Sequence, residues 1–395
     1  MELKDKINQL AEKYYQQVVD IRRHLHQNPE LSFQEYETSK YITSLLDSWG
    51  IKYKSGIANT GITCLIEGIN PDKKVIALRA DMDALPVEEQ NDLPYKSKNK
   101  GVMHACGHDA HTSSLLGTLL ILNELKDLFE GAVKFIFQPA EEKLPGGAKQ
   151  MIEEGILENP KPNFVLGQHV YPDLNAGNVG FKKGVYMAST DEIYITVKGK
   201  GGHAAMPEKI TNTVLIASQI ILALQQIPFE LAPKEIPTVL SIGKVIANGA
   251  TNVIPNEVYL EGTFRTMNED WRKTAHQKIH EICKSIAKSQ KASVDINIKH
   301  GYPVLNNNNK TTEQTIKFAQ EFLGSKNVID LDIRMTAEDF AYYSQELPAT
   351  FYRLGTSSGN SNNNPLHSPN FNVDEKALIT GMGTMAYVSI KYLNT

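Results

Sequence analysis

Cys106 and His108 stand two residues apart inside HACGHDAHT (104–112), a stretch that also holds His104, Asp109 and His111. A thiolate and an imidazole at that spacing can meet one ion where irregular backbone enters a helix. Both suit Zn²⁺, Mn²⁺, Co²⁺ or Ni²⁺, and the thiolate favours the softer ions. The same stretch also reads as a reactive thiol, or as a polar helix start with a small buried cysteine. Asp109 can cap that helix or hold an imidazole in orientation. Three further segments bring ligand-type side chains to strand ends or loops: VKFIFQPA runs into Glu141 and Glu142, NFVLG runs into Gln168 and His169, and NPLHSP sets His367 between Pro365 and Pro369. Neighbouring side chains at an extended strand end point different ways. One carboxylate can therefore bind a metal while the other faces substrate as a general base. A lone Glu pair is explained equally well by solvated loop charge; four converging segments favour chemistry.

These side chains need elements to position them. Residues 3–27 are predicted helical up to the stop at Pro29, and 34–49 form a second helix closed by Gly50. The apolar runs ITCLIEG (62–68), KVIALRAD (74–81), AVKFIFQPAEE (132–142) and NFVLGQHV (163–170) read as buried strands, with helices over 108–126 and 147–154 between them. Such alternation predicts a layered α/β domain. Ligands of open α/β sheets bind at the carboxyl ends of strands, where Glu141, Glu142 and His169 fall.

From residue 187 the texture changes. A strand (191–201), a helix (210–227), two strands (239–247 and 256–267), a helix (268–290) and a strand (294–300) follow. That is the β-α-β-β-α-β order of a ferredoxin-like α+β unit. Helices near 311–323, 337–346 and 374–392 then resume the first pattern. The expected organisation is a layered α/β domain in two parts, 1–186 and 300–395, with 187–299 inserted as a smaller domain. NNNNK (306–310) and SSGNSNNNP (357–365) read as polar loops. There is no internal repeat.

The bulk properties agree with a soluble globular chain. It has 395 residues, 41% hydrophobic and 22% charged, enough for two domains. A formal net charge of −4 without a basic face points away from nucleic acid. The charged start lacks the apolar core of a signal peptide, and no apolar run reaches the ~18 residues of a membrane span, so no membrane partner is expected. Cys64, Cys106 and Cys283 are widely spaced, which is no disulfide framework and suits the cytoplasm.

LRADMDALP (78–86), MHACGHDAHT (103–112), FQPAEE (137–142), GQHV (167–170), GGHAAMP (201–207), TNVIPNE (251–257), GTFRT (262–266) and LHSP (366–369) follow one another in this order. Together they closely resemble the co-catalytic metallopeptidase family of aminoacylases, hippurate hydrolases, auxin-conjugate hydrolases and bacterial carboxypeptidases, in its cysteine-containing amidohydrolase branch. The resemblance spans nearly the whole chain. It implies two divalent metal ions per subunit held by Cys106, His108, Glu142, His169 and His367, with Cys106 bridging, and Glu141 as general base. Many branches carry a metal-binding His in a His-x-Asp at the end of the LRAD-type strand. Here the stretch is Arg79-Ala80-Asp81, so the resemblance implies that His108 takes over and that Asp81 supports the site.

The inserted domain resembles the family's lid and dimerisation domain. There His203 is implied to reach a partner subunit's site and stabilise the oxyanion, and Asn252 and Arg265 to hold the substrate carboxylate. An arginine fork suits that task. The plainer readings are a turn histidine for His203 and a strand-edge salt bridge for Arg265. Glu338, in TAEDFAYY, lines the site or caps a helix start.

The expected protein is a cytoplasmic, metal-dependent amidohydrolase of N-acyl amino acids, using metal-activated water, and a homodimer or higher homo-oligomer through the lid. The same site also serves a dipeptidase or aminopeptidase. A non-catalytic metal- or ligand-binding protein is the farther alternative. A cysteine nucleophile at Cys106 would leave Glu142, His169 and His367 without purpose. His24, His26, His276, His280 and His300 read as structural or surface residues; His104 and His111 lie near the site with no role assigned.

Overall fold

The computed structural model describes residues 2–359 and 364–395; residues 360–363 of the 357–365 loop lie outside the described residues. Chain contacts divide into two units: Met1–Gly184 with Asn306–Asp332 and Asp339–Thr395, and Val185–Leu305 with Ile333–Glu338. The segment Ile333–Glu338, read from sequence with the larger domain, joins the smaller unit because Arg334 exchanges backbone hydrogen bonds with Tyr186 and Ala188.

The larger unit is built on a mixed, 8-stranded sheet. In space its order is Tyr53–Ile57, Gly61–Glu67, Ala132–Gln138, Val75–Asp81, Phe164–Asn175, Ala349–Ser357, Val179–Phe181, Val328–Asp330. The strands from Ala132–Gln138 to Ala349–Ser357 run parallel to one another. Val75–Asp81, Ala132–Gln138 and Ala349–Ser357 are buried at every position. That is why Val75–Asp81 and Ala132–Gln138 read as mainly apolar runs: helices cover both faces of a parallel sheet. Helix His108–Glu124 is buried from His108 to Leu122 and packs between Leu3–Gln27, Ala377–Leu393 and the sheet. From Leu115 to Leu122 it is apolar nearly all round, as a central helix must be.

Two sequence expectations need correction in this unit. No strand is legible in the last hundred residues, yet Ala349–Ser357 lies in the middle of the sheet. NNNNK is not a loop: Asn307 is buried and bonds Lys182 and Phe351 backbone, and Asn308 caps helix Asn309–Leu323 through Thr311 N–H.

The smaller unit is an antiparallel sheet in the order Thr238–Ile246, Glu257–Thr266, Asp191–Lys198, Ser293–His300, with helices Thr213–Leu224 and Glu269–Ser289. Ile193, Ile195 and Val197 alternate into its core against Ile216, Ile220, Ala275 and Ile279. This is the ferredoxin-like order predicted from the strand and helix pattern. Contrary to the expectation, Thr213–Leu231 is long and apolar enough by composition to span a membrane. Part of that apolarity is spent on the core, where Ile216, Ala217, Ile220 and Leu224 are buried.

A buried ion-pair network ties the first helix to the central one. Arg22 and Asp109 have fully buried side chains 2.7 Å apart, and His26 Nδ1 lies 2.8 Å from the same carboxylate oxygen. Burial alone would raise the Asp109 carboxyl, but Arg22 and His26 hold it far below the usual carboxylate range. Removing one partner strands the other charge in the core. Arg22→Ala is expected to destabilise the larger unit by about 3–5 kcal/mol, seen as an earlier unfolding transition in urea; an unchanged midpoint would show the network to be expendable.

Candidate metal centre

Val75–Asp81 has Ala132–Gln138 on one side and Phe164–Asn175 on the other. The next two strands of this parallel set thus flank it on opposite sides, which opens a crevice at its carboxyl end. Asp81 pairs in register with Gln138, and Arg79 with Gly167. This brings Asp81, Asp83, Glu141, Glu142 and His169 to one edge of the sheet.

His108 is the first residue of the central helix, after a turn at Gly107 with φ 79°. A Cβ on Gly107 would stand 2.6 Å from a Val170 methyl, so both conformation and space demand glycine. The turn leaves Cys106 Sγ 3.4 Å from His169 Nε2. His367 arrives on its own loop, with its N–H bonded to the Ala105 carbonyl at 2.8 Å. Its Nε2 lies 3.4 Å from Glu142 Oε1. Glu141 Oε2 and Glu142 Oε1 each lie 3.9 Å from His108 Nε2. Donor atoms of Cys106, His108 and His169 fall within 4.8 Å of one another, as do those of Cys106, Glu142 and His367, and of His108, Glu141 and Glu142. The five implied ligands and Glu141 therefore meet in the larger unit. His367 is the exposed member and Glu142 is half-buried; the rest are buried.

The donors fit a cation. Among the described residues His108 Nε2 and Glu142 Oε1 are buried without a hydrogen-bond partner, a condition that costs about 1–3 kcal/mol per group when nothing completes it. Burial lowers the His108 imidazole, but Asp81 and Asp83 outweigh it and raise the group to about 10. Burial, and then the Glu142 and Glu141 carboxylates, push the Cys106 thiol well above its usual range. A thiol held in that state is no nucleophile at neutral pH. A divalent ion offsets the surplus of negative charge, and a sulfur, nitrogen and oxygen donor set suits the borderline ions.

Residues around the ligands hold them in place. Asp81 lies 3.9 Å from His108 Nε2 but is engaged by Arg79 at 2.7 Å and by His111 Nδ1 at 2.5 Å. His111 Nε2 accepts the Val170 N–H at 2.8 Å. Both nitrogens of His111 are thus committed, so it is a strut rather than a ligand. His169 Nδ1 donates to the Val170 carbonyl at 2.8 Å, which leaves Nε2 free of its proton for an ion. His104 is fully buried, and burial pushes its imidazole down to about 4, so it is neutral. Asp109 does not cap the helix: Gly107 occupies that position and Asp109 serves the Arg22 network.

Asp83 is not among the residues that the sequence points to. Its Oδ1 accepts the Glu141 N–H at 3.0 Å and lies 3.2 Å from His108 Nδ1. Its Oδ2 accepts the Glu142 N–H at 3.0 Å and the Ser32 hydroxyl at 2.6 Å. Asp83, not Asp81, is therefore the aspartate that bonds His108. The available signal was a second acid two residues along, in Asp81-Met82-Asp83, where the strand ends.

The remaining expected site residues belong to the smaller unit. His203 pairs with Val253 in a two-stranded ribbon, and Ala204 N–H bonds the Asn252 carbonyl at 2.9 Å. His203 and Asn252 are therefore neighbours, both exposed. Ala205 N–H donates to His203 Nδ1 at 3.1 Å, which assigns the ring proton to Nε2. Arg265 sits on an internal strand, not an edge. Its guanidinium is half-buried, donates to the Met335 carbonyl at 3.1 Å, and has no carboxylate partner among the described residues. Glu338 is buried and precedes the helix Ala341–Glu346, so it does not cap that helix start.

Residues 77–391 match the sequence family described as Peptidase family M20/M25/M40. A hippurate hydrolase of Campylobacter jejuni is 38% identical, with 94% of this chain and 96% of the relative covered. Thermostable carboxypeptidase 2 of Saccharolobus solfataricus is 37% identical, with 100% of both chains covered. The crystal structure of a dinuclear metal-binding M20 peptidase of Bacillus subtilis superposes with a TM-score of 0.83 at 34% identity, over 97% of this chain and 99% of that one.

Metal uptake must displace protons. With no ion bound, the Cys106 thiol and the His108 imidazole both titrate above neutrality, so both are protonated from pH 6 to 8. Affinity of the chelator-stripped protein for Zn²⁺ or Mn²⁺ is expected to rise at least about tenfold per pH unit over that window. Competition against a chromophoric chelator measures it, and a flat profile overturns the ligand set.

Proposed function

This chain belongs to peptidase family M20/M25/M40, and on that premise we propose that it is a metal-dependent amidohydrolase that cleaves N-acyl amino acids. The observation that carries the reading is the meeting of sulfur, imidazole and carboxylate donors around Cys106 and His108, with one carboxylate more than ligation needs. Cys106, His108, Glu142, His169 and His367 would hold two divalent ions, Mn²⁺, Zn²⁺, Co²⁺ or Ni²⁺. Bound ions supply Lewis acidity and lower the pKa of water at the site. Glu141 takes the proton of the attacking water and returns it to the departing amine. His203 of a partner subunit donates its Nε2–H to the developing oxyanion. Arg265 and Asn252 select substrates with a free carboxylate; a half-buried guanidinium with no carboxylate partner among the described residues is suited to one. The smaller unit acts as lid. The Campylobacter relative named for hippurate, an N-acyl amino acid, supports the substrate class.

The same unit supports a homodimer. Leu222 is 73% exposed and Phe229 82%, with Leu215 and Leu231 also exposed, and Thr238–Ile246 is an open sheet edge. Exposed apolar side chains in a unit with an edge strand favour a second copy. The buried free thiols Cys64, Cys106 and Cys283 support a reducing compartment, the cytoplasm. The carboxypeptidase relative keeps a peptidase reading alive.

The deciding experiment strips the protein with chelator and restores each metal separately. Amine release is then followed from N-acetyl and N-benzoyl amino acids beside matched dipeptides. Metal-restored cleavage of the acyl amino acids is expected; faster cleavage of the dipeptides makes the protein a peptidase. Glu141→Gln should lower kcat about 10²–10⁴-fold with metal content unchanged, and normal turnover would sink the base assignment. Leu222→Asp with Phe229→Asp should yield a monomer by light scattering, metal-loaded but inactive for want of His203. An active monomer would remove the cross-subunit role.

A further inference from the structure

One buried acid near this site has no part in the chemistry proposed so far. Glu35 stands immediately before helix Tyr36–Ser48 and is 0% exposed. Its Oε1 accepts two backbone N–H groups, those of Phe33 and Ala140, both at 2.9 Å. Its Oε2 accepts the Thr60 hydroxyl at 2.7 Å. Ala140 directly precedes Glu141.

The backbone at Ala140 needs holding. Its φ is 52°, in the left-handed region that a residue with a Cβ rarely adopts. Its carbonyl accepts the Gly147 N–H at 2.9 Å. A Cβ on Gly147 would sit 1.8 Å from the Pro139 carbonyl oxygen, so the loop closes too tightly for any side chain there. The next two N–H groups, of Glu141 and Glu142, both end on Asp83. Three successive N–H groups are thus gripped by two buried carboxylates from distant parts of the chain, and Glu35 grips the first.

We propose that Glu35 is a positioning residue for Glu141: by fixing Ala140 in its left-handed conformation it sets the direction in which the strand-end loop presents the general base and, next to it, the ligand Glu142. The inference rests on Glu141 being the base. With Ala140 released, the loop can relax toward ordinary φ values, and Glu141 Oε2 leaves its place 3.9 Å from His108 Nε2. The grip needs an acceptor at Oε1, not a charge. Burial and the nearby Asp83 raise Glu35 to about 7, and the acid form keeps both N–H contacts while its Oε2 hydroxyl turns to Thr60. Glutamine reproduces that form. Aspartate keeps the charge but falls one methylene short of Ala140.

The test compares full-length, metal-loaded Glu35→Gln, Glu35→Asp and Glu35→Ala with the parent and with Glu141→Gln. Metal content, thermal midpoint, kcat and KM are measured on the best-cleaved substrate. Glu35→Gln is expected within about threefold of the parent in kcat. Glu35→Asp and Glu35→Ala should lose about 10–100-fold in kcat with KM changed less than about threefold and metal retained, the size expected when a reacting group shifts by about an ångström. Thr60→Val, which removes only the Oε2 contact, should lower the midpoint and spare kcat. If Glu35→Ala does not fold, the order of Gln and Asp decides. Equal kcat in the two, or a loss in Gln alone, overturns the proposal. Normal turnover in Glu141→Gln refutes the base assignment instead, whatever the Glu35 series does.

Discussion

Buried negative charge is the constraint on which the site depends. His108 Nε2 lies 3.9 Å from an oxygen of each of Asp81, Glu141 and Glu142, and Asp83 bonds its other nitrogen. At such distances two unit charges interact by about 4 kcal/mol at an effective dielectric constant of ~20. Several carboxylates crowded together repel one another on that scale. Arg79 offsets Asp81 and Asp339, the backbone N–H groups of Glu141 and Glu142 offset Asp83, and a proton on His108 offsets part of the rest. What remains calls for divalent cations, and the arrangement is comprehensible as one shaped for them.

That requirement explains the rigidity of the frame. A sheet buried on both faces and a central helix buried along nearly its whole length supply fixed origins for the strand-end loop and for Cys106 and His108. The loop is then nailed at successive atoms. Asp339 holds Gln138 and the Ala148 N–H, Glu35 the Ala140 N–H, and Asp83 the next two. Acidic side chains elsewhere in the chain thus hold the backbone that presents Glu141 and Glu142. The same logic orders the imidazoles: His111 braces Val170, and Val170 fixes the tautomer of His169.

The smaller unit obeys different physics. Its strands alternate in burial, its helix Thr213–Leu224 is apolar on both core and solvent sides, and its candidate substrate groups His203, Asn252 and Arg265 are exposed or only half-buried. His203 and Asn252 are held by a ribbon of a few hydrogen bonds and not by a core. A surface of that kind is suited to contacts made outside the unit, whereas the candidate metal ligands all lie within the larger unit.

Much of this was legible in the sequence because it was local. Apolar runs of strand length, the Gly50 helix stop, the β-α-β-β-α-β order and the placing of Glu141 and Glu142 just past a strand end all follow from spacing of a few residues; His169, expected at a strand end, lies inside Phe164–Asn175, which runs on past it. The ordered motifs made the family recognisable and named Cys106, His108 and His367 together, although they are far apart in the chain. Ala349–Ser357 escaped because nothing in its own pattern says that Phe164–Asn175 will take it as a neighbour. Asp83, His111 and Glu35 escaped for the same reason. An acid or a histidine carries no mark of its partner, and their meaning lies in backbone N–H groups tens of residues away: Glu35 to Ala140, Asp83 to Glu141, His111 to Val170. By itself the sequence determined which residue types could bind metal and move a proton, since donor chemistry and spacing are properties of the chain. Only the tertiary structure decided which carboxylates gather with the cysteine and histidines, which are struts and which aspartate bonds His108, because hydrogen bonds are assigned by distance in space and not by order along the chain.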